Sequence, residues 1–149
     1  MAAIDREFQL TLQAAYREAT SRRHAYLTVE HLLYALCFDE VGIDTLRACG
    51  APIEKLKREL ERYFEENMEA EPGSEPVEVQ QTLAFHRVVE AAVHHMHNAE
   101  KETVDAGDVL AAVFQEPDCG AVAILRRMGV SRIDVLRYIS HGIRKSDVP

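Results

Sequence analysis

The feature that most constrains this chain is that it contains the same pattern twice. The stretch Leu27–Leu36, Leu-Thr-Val-Glu-His-Leu-Leu-Tyr-Ala-Leu, recurs 77 positions later as Val104–Val113, so that Leu27 matches Val104, Leu32 matches Val109 and Leu36 matches Val113. Carried backwards, the offset pairs Phe8 with Phe85, Leu12 with Val89 and Ala15 with Ala92. Carried forwards, with a slip of two or three residues in a loop, it pairs Leu46 with Leu125, Gly50 with Gly129, Ile53 with Ile133 and Leu56 with Leu136. Neither copy can bury its apolar faces alone. Two copies packed about a pseudo-twofold axis share one core, and 149 residues suffice to bury it as one compact domain.

Apolar residues recur every three or four positions in each strong segment, which predicts eight helices and no sheet. The fold class is all-α, a pseudo-twofold tandem repeat of two four-helix bundles. Asp5 to about Arg22 forms the first helix, with Phe8, Leu12, Ala15 and Ala19 on one face. Thr28 caps a short second helix with Glu30 in its first turn, and its density of leucines makes it a central element wrapped on several sides. The segment 38–42 breaks the pattern before a third helix that Gly50 ends. Pro52 opens a fourth helix, with Ile53, Leu56, Leu60 and Phe64 inward. In the second copy Thr82 caps the fifth helix, Asp105 and Asp108 form a capping box for the second central helix, and Gly129 stops the seventh. Ser131 and Asp134 cap the eighth, in which Ile133, Leu136 and Ile139 face inward. The repeats run over 1–66 and 81–142. Between them 67–80 reads as a mobile acidic linker, and 143–149 as the start of a connection to a further module.

Net charge is −8, yet the stretch from Glu65 to Val79 holds six acids and no base, which leaves −2 for the two lobes together. Such a body has no electrostatic footprint for phosphate backbones, which argues against nucleic acid as a partner. No apolar run approaches the roughly 18 residues of a membrane span, and the amino terminus meets acids at once instead of forming a secretory signal. A cytoplasmic location is the expectation. Cys37, Cys49 and Cys119 are odd in number and lack metal-type spacing, so they read as free buried thiols.

Chemistry has few places to reside. His94 and His97 share a helical face with His86 two turns earlier, but no carboxylate or thiol pair converges on them, and exposed histidines are the expectation rather than a metal site. No phosphate-binding glycine loop and no nucleophile with a histidine and an acid beside it is found. Neither catalysis nor a cofactor is expected. Glu30, Thr82 and Arg87 stand out instead, as an acid at one helix start, a hydroxyl at another and a cation one turn on, which together make a polar docking surface.

The duplicated cap and Leu-Leu pattern, the Thr28-Val29-Glu30-His31-Leu32-Leu33 motif and the closing Ile139-Ser140-His141-Gly142-Ile143-Arg144-Lys145 together resemble the N-terminal domain of the bacterial Clp/Hsp100 AAA+ unfoldases, most closely the ClpA type. The resemblance covers essentially the whole chain. It implies an all-helical pseudo-dimer that does no chemistry itself. It implies a docking platform on a hexameric ATPase ring that receives unfolded substrates and the ClpS-type adaptor for delivery to ClpP. It assigns Glu30, Thr82 and Arg87 to the adaptor-facing surface, while a family acid after the histidine is replaced here by Ala25. The alternative is a ClpC-like receptor for other adaptors or phosphoarginine-marked substrates. That reading uses a glutamate in both repeats, and here the second position is Gly107.

Overall fold

The computed structural model describes residues 3–99 and 101–149. Among them eight α-helices form two lobes: α1 Arg6–Ser21, α2 Val29–Leu36, α3 Glu40–Ala48 and α4 Ile53–Asn67, then α5 Leu83–Asn98, α6 Ala106–Val113, α7 Gly120–Arg127 and α8 Arg132–His141. Capping chemistry sets the starts. Asp5 and Thr82, 77 apart, each accept a hydrogen bond from the amide three residues on, and so do Thr28 and Asp105. The third helix and its counterpart stop in the same way. Gly50 (φ 83°) and Gly129 (φ 81°) take the left-handed conformation, and the next residue's amide reaches back to Leu46 and Leu125 respectively.

Every residue of α2 and of α6 is buried, so these two eight-residue helices are held by tertiary packing on all sides. Leu33 of α2 and Leu110 of α6 join Phe8, Leu46, Leu60, Phe64, Val88 and Leu125 in one core that crosses both lobes. Cys37 and Cys49 are buried free thiols and Cys119 is half-buried.

Four differences from the sequence expectation have physical causes. The chain is not free of strands: Ala3–Ile4 (β1) pairs in parallel with Thr103–Val104 (β4), and Tyr26–Leu27 (β2) with Gln80–Gln81 (β3). The four extended segments lead into α1, α6, α2 and α5, and each pair satisfies backbone groups of one lobe with those of the other. The bonds Asp5 N–Val104 O and Thr82 N–Leu27 O, at 2.9 and 3.1 Å, are the same contact repeated by the twofold. Two-residue strands carry no period that a sequence can show. Second, α3 starts at Glu40 inside the expected break, because Asp39 accepts from the Gly42 amide and from the buried Thr11 hydroxyl.

Third, Ile133 does not face inward. It is 53% exposed and Val135 is the buried residue of α8, a ten-residue helix against the fifteen of α4. Fourth, the acidic linker is laid against the first lobe rather than hanging free. The guanidinium of Arg23, a residue at φ 57°, donates to the carbonyls of Glu71, Glu75 and Pro72 at 2.8, 2.8 and 3.1 Å, and the Glu71 amide returns a bond to the Arg23 carbonyl. The bend at Arg22–Tyr26 is therefore the linker's anchor.

Candidate docking surface

The start of α5 is built by its cap. The Thr82 hydroxyl accepts from the Phe85 amide at 3.1 Å while the Thr82 amide is spent on Leu27 across the lobe boundary, so this helix start is fixed to both lobes. Immediately after it Leu83 is 77% exposed, the largest exposure of any large apolar side chain among the described residues. One turn on, the largely exposed Arg87 forks onto Glu116, with Nη2–Oε1 at 2.6 Å and Nε–Oε2 at 3.1 Å. That bidentate hydrogen bonding holds the Glu116 carboxyl below its usual range and raises Arg87 above its own. Leu83 and Arg87, four apart, share a helical face. The sequence pattern alone does not single out Leu83, although an apolar residue lying outside the Phe85, Val88, Ala92 stripe was the available signal.

The structure keeps Thr82 and Arg87 at this surface but not Glu30. Glu30 is 5% exposed, and its Oε2 accepts from the Ala121 amide at the start of α7 at 2.9 Å. The reason is spatial: α2 is surrounded, so its first-turn acid points at the other lobe instead of at solvent. At the equivalent position of the second lobe, Gly107 is itself packed. A Cβ added there would lie 3.0 Å from Ile139 Cγ2 and 3.2 Å from Asp105 Oδ1, so a side chain at 107 requires its neighbours to give way, and the two-acid arrangement of the alternative reading lacks its second acid here.

The duplication also carries a polar contact at the entrance to each central helix, between two buried side chains in the first lobe and between the buried Asp108 and the exposed Lys101 in the second. In the first lobe the Thr28 amide donates to His31 Nδ1 at 3.0 Å, which leaves the His31 proton on Nε2, 2.9 Å from His24 Nδ1. His31 stacks on Phe64 with ring centres 4.7 Å apart. Burial, then the His24 and Arg22 charges, push His31 down to about 3, and burial followed by Arg22 lowers His24. In the second lobe the positions 77 later hold Lys101 and Asp108, an ion pair at 2.8 Å, with His95 Nδ1 3.2 Å from the other carboxylate oxygen. Of the α5 histidines it is thus His95, which spacing does not distinguish, that has a partner inside the fold, while His94 and His97 are not drawn into it. Among the described residues no three His, Cys, Asp or Glu side chains gather as a metal site.

A groove of about 460 Å³ runs between α1 and α5, lined by Leu12, Tyr16, Arg17, Leu27, Phe85 and Val89 among others. Leu12 and Val89 are equivalent under the duplication, so the groove straddles the pseudo-twofold. Spacing assigns both to the core face, and both are half-buried.

Known proteins share this architecture. The family model described as the Clp repeat (R) N-terminal domain matches residues 3–128. A ClpA homolog protein of Fuscovulum blasticum is 32% identical over 138 residues, covering 90% of this chain and 17% of the relative, so the chain spans about a sixth of that protein's length. The Hsp104 N-terminal domain from Candida albicans superposes with a TM-score of 0.76 at 13% identity over 97% of this chain and 95% of its own. The ClpD N-terminal domain from Arabidopsis thaliana does so with 0.66 at 18% over 89% and 88%. A ClpV N-domain solved in complex with VipB peptide gives 0.72 at 15% over 93% and 85%.

Proposed function

The chain belongs to the Clp repeat N-terminal domain family, and from that premise we propose that it receives substrates and a ClpS-type adaptor on behalf of a ClpA-like, ATP-dependent unfoldase. In this reading the whole protein is a hexameric cytoplasmic ATPase that works with ClpP, and 143–149 lead toward its first ATPase module. The observation that carries the adaptor site is Leu83. A leucine 77% exposed, one turn before a forked arginine and directly after a cap that ties both lobes, is an apolar anchor with a polar rim on a rigid helix start. The Arg87–Glu116 pair supplies orientation more than affinity. Ala25, half-buried beside β2, offers no acid to add to that rim.

Titration calorimetry of a ClpS-type adaptor into the chain at matched ionic strength tests this. Leu83→Ala should raise Kd by roughly tenfold to a hundredfold, the value of one apolar side chain moved from water into an interface. Arg87→Ala should weaken binding with helix content unchanged. Thr82→Ala removes a cap as well, so its effect must be separated from about 1 kcal/mol of lost stability. Equal affinity of wild type and Leu83→Ala would place the adaptor elsewhere.

A second reading rests on the groove between α1 and α5. Its apolar floor and the Arg17 and Tyr16 rim suit an apolar segment of a substrate, in keeping with the peptide-bound ClpV N-domain of the same fold. Peptide competition that survives Leu83→Ala and fails when Leu12 is enlarged to Trp would favour it.

A further inference from the structure

We infer that Glu30 sets the docking surface from inside the molecule, by holding the start of α7 and through it the turn that orients Arg87, rather than by touching a partner. This rests on the adaptor-docking reading above. α7 begins without a carboxylate or hydroxyl cap of its own: Cys119 faces the Ala121 and Val122 amides only with a thiol sulfur, a weak acceptor, whereas α3, its counterpart in the first lobe, is capped by its own Asp39 carboxylate. The strong acceptor comes from the other lobe, 91 residues away, as the bond from the Ala121 amide to Glu30 Oε2 at 2.9 Å. A carboxylate suits that place, because the free amides and dipole of a helix start favour negative charge and a charge-assisted bond is among the stronger kinds.

The bond continues outward. The Cys119 amide donates to the Glu116 carbonyl at 3.2 Å, closing the turn that enters α7, and the Glu116 carboxylate is the one that takes Arg87 in two bonds. The helix start is also wedged on its other side, since a Cβ added at Gly120 would collide with the Tyr63 ring. Three groups therefore converge at the start of α7: the Glu30 carboxylate, the Tyr63 ring and the Cys119 turn. Glu30 is almost wholly buried, so no partner reaches it without parting α2 from α7. The duplication makes the device one-sided, because the residue 77 positions on is Gly107 and returns nothing to α3. An acid on the family's docking motif thus acts here as a positioning residue.

The test compares Glu30→Gln, whose amide oxygen still reaches Ala121, with Glu30→Asp, which keeps the charge but is one methylene short, and with Glu30→Ala. Amide exchange of Ala121 and the Nε–H resonance of Arg87 are read by NMR, with the Val109 amide of α6 as internal reference. Glu30→Asp and Glu30→Ala should speed Ala121 exchange by roughly tenfold, the worth of one bond to a charged acceptor, and shift or broaden the Arg87 signal; Glu30→Gln, which keeps the acceptor and loses the charge, should give an Ala121 rate between wild type and Glu30→Asp and leave the Arg87 signal near wild type. If Glu30→Ala fails to fold, the Asp and Gln pair decides the matter alone. An Arg87 signal indifferent to Glu30→Asp while Ala121 exchanges fast, or a Gln variant that behaves as the Asp variant does, overturns the inference. The same variants titrated with the ClpS-type adaptor should fall in the same order. An adaptor that ignores the wild-type chain overturns the docking reading and leaves the NMR comparison to decide the role of Glu30.

Discussion

The neutral His24–His31 pair should make stability fall with acid, and the size of the effect follows from the structure. His31 accepts from the Thr28 amide through Nδ1 and donates from Nε2 to His24, so a second proton has no place unless the capping bond breaks. Its ordinary value of 6.5 is lowered to about 3, chiefly by burial. A group with a depressed folded-state value contributes stability that is complete above the unfolded value, here 6.5, and is lost as pH drops below it toward the folded value. Between about pH 7.5 and about pH 5 the loss from His31 alone comes to about 2 kcal/mol, since each pH unit below the unfolded value costs about 1.4 kcal/mol. His24, lowered for the same reason, adds in the same direction. Denaturant titrations across that window measure it. His31→Gln is the control, because a Gln at the third helical position still closes a capping box but does not titrate. It should be less stable than wild type at neutral pH, having lost the stack on Phe64, yet its stability should vary less over the window, by about 2 kcal/mol. Carboxylates and the other histidines remain in both proteins, so the difference of slopes belongs to the pair. A wild-type stability that moves by less than about 0.5 kcal/mol over the window, or equal slopes in the two proteins, would refute the assignment.

Two further outcomes follow from the packing. Leu33, fully buried on α2, should cost about 2–5 kcal/mol on truncation to Ala by denaturant titration, and a loss below about 1 kcal/mol would mean that α2 is not central. Arg23→Ala removes three bonds to linker carbonyls, so a protease specific for glutamate should cut at Glu71 to Glu78 markedly faster than in wild type while the far-ultraviolet circular dichroism stays the same; unchanged cleavage would show that the linker is held by something else.

What the sequence displayed was whatever repeats locally or at the fixed offset. The caps Asp5, Thr28, Thr82 and Asp105 and the stops Gly50 and Gly129 announce themselves through residue type and spacing, because a helix terminus is solved within four residues of itself. Glu30 was legible as a first-turn acid and illegible as a cap for α7, because its partner lies 91 residues away on the other lobe and nothing in local spacing records a direction in space. The same holds for the strand pairs and for Arg23. The inner polar pairs are the instructive case. His24 and His31 look unrelated to Lys101 and Asp108 by composition, yet the offset that reveals the repeat carries one pair onto the other. Each copy buries one polar group at the entrance to its central helix, His31 or Asp108, that must find a partner, and the duplication preserves that demand while the chemistry is free to change. The two halves have consequently parted in what they do. The first lobe meets its demand with neutral rings and sends its acid, Glu30, across to the second; the second meets it with an ion pair and keeps a glycine where that acid would stand. The candidate face is likewise altered rather than copied: the positions 77 before Thr82, Leu83 and Arg87 are Asp5, Arg6 and Leu10, which put the cation directly after the cap and an exposed leucine, 55% accessible, one turn on, the reverse of the order in the second lobe.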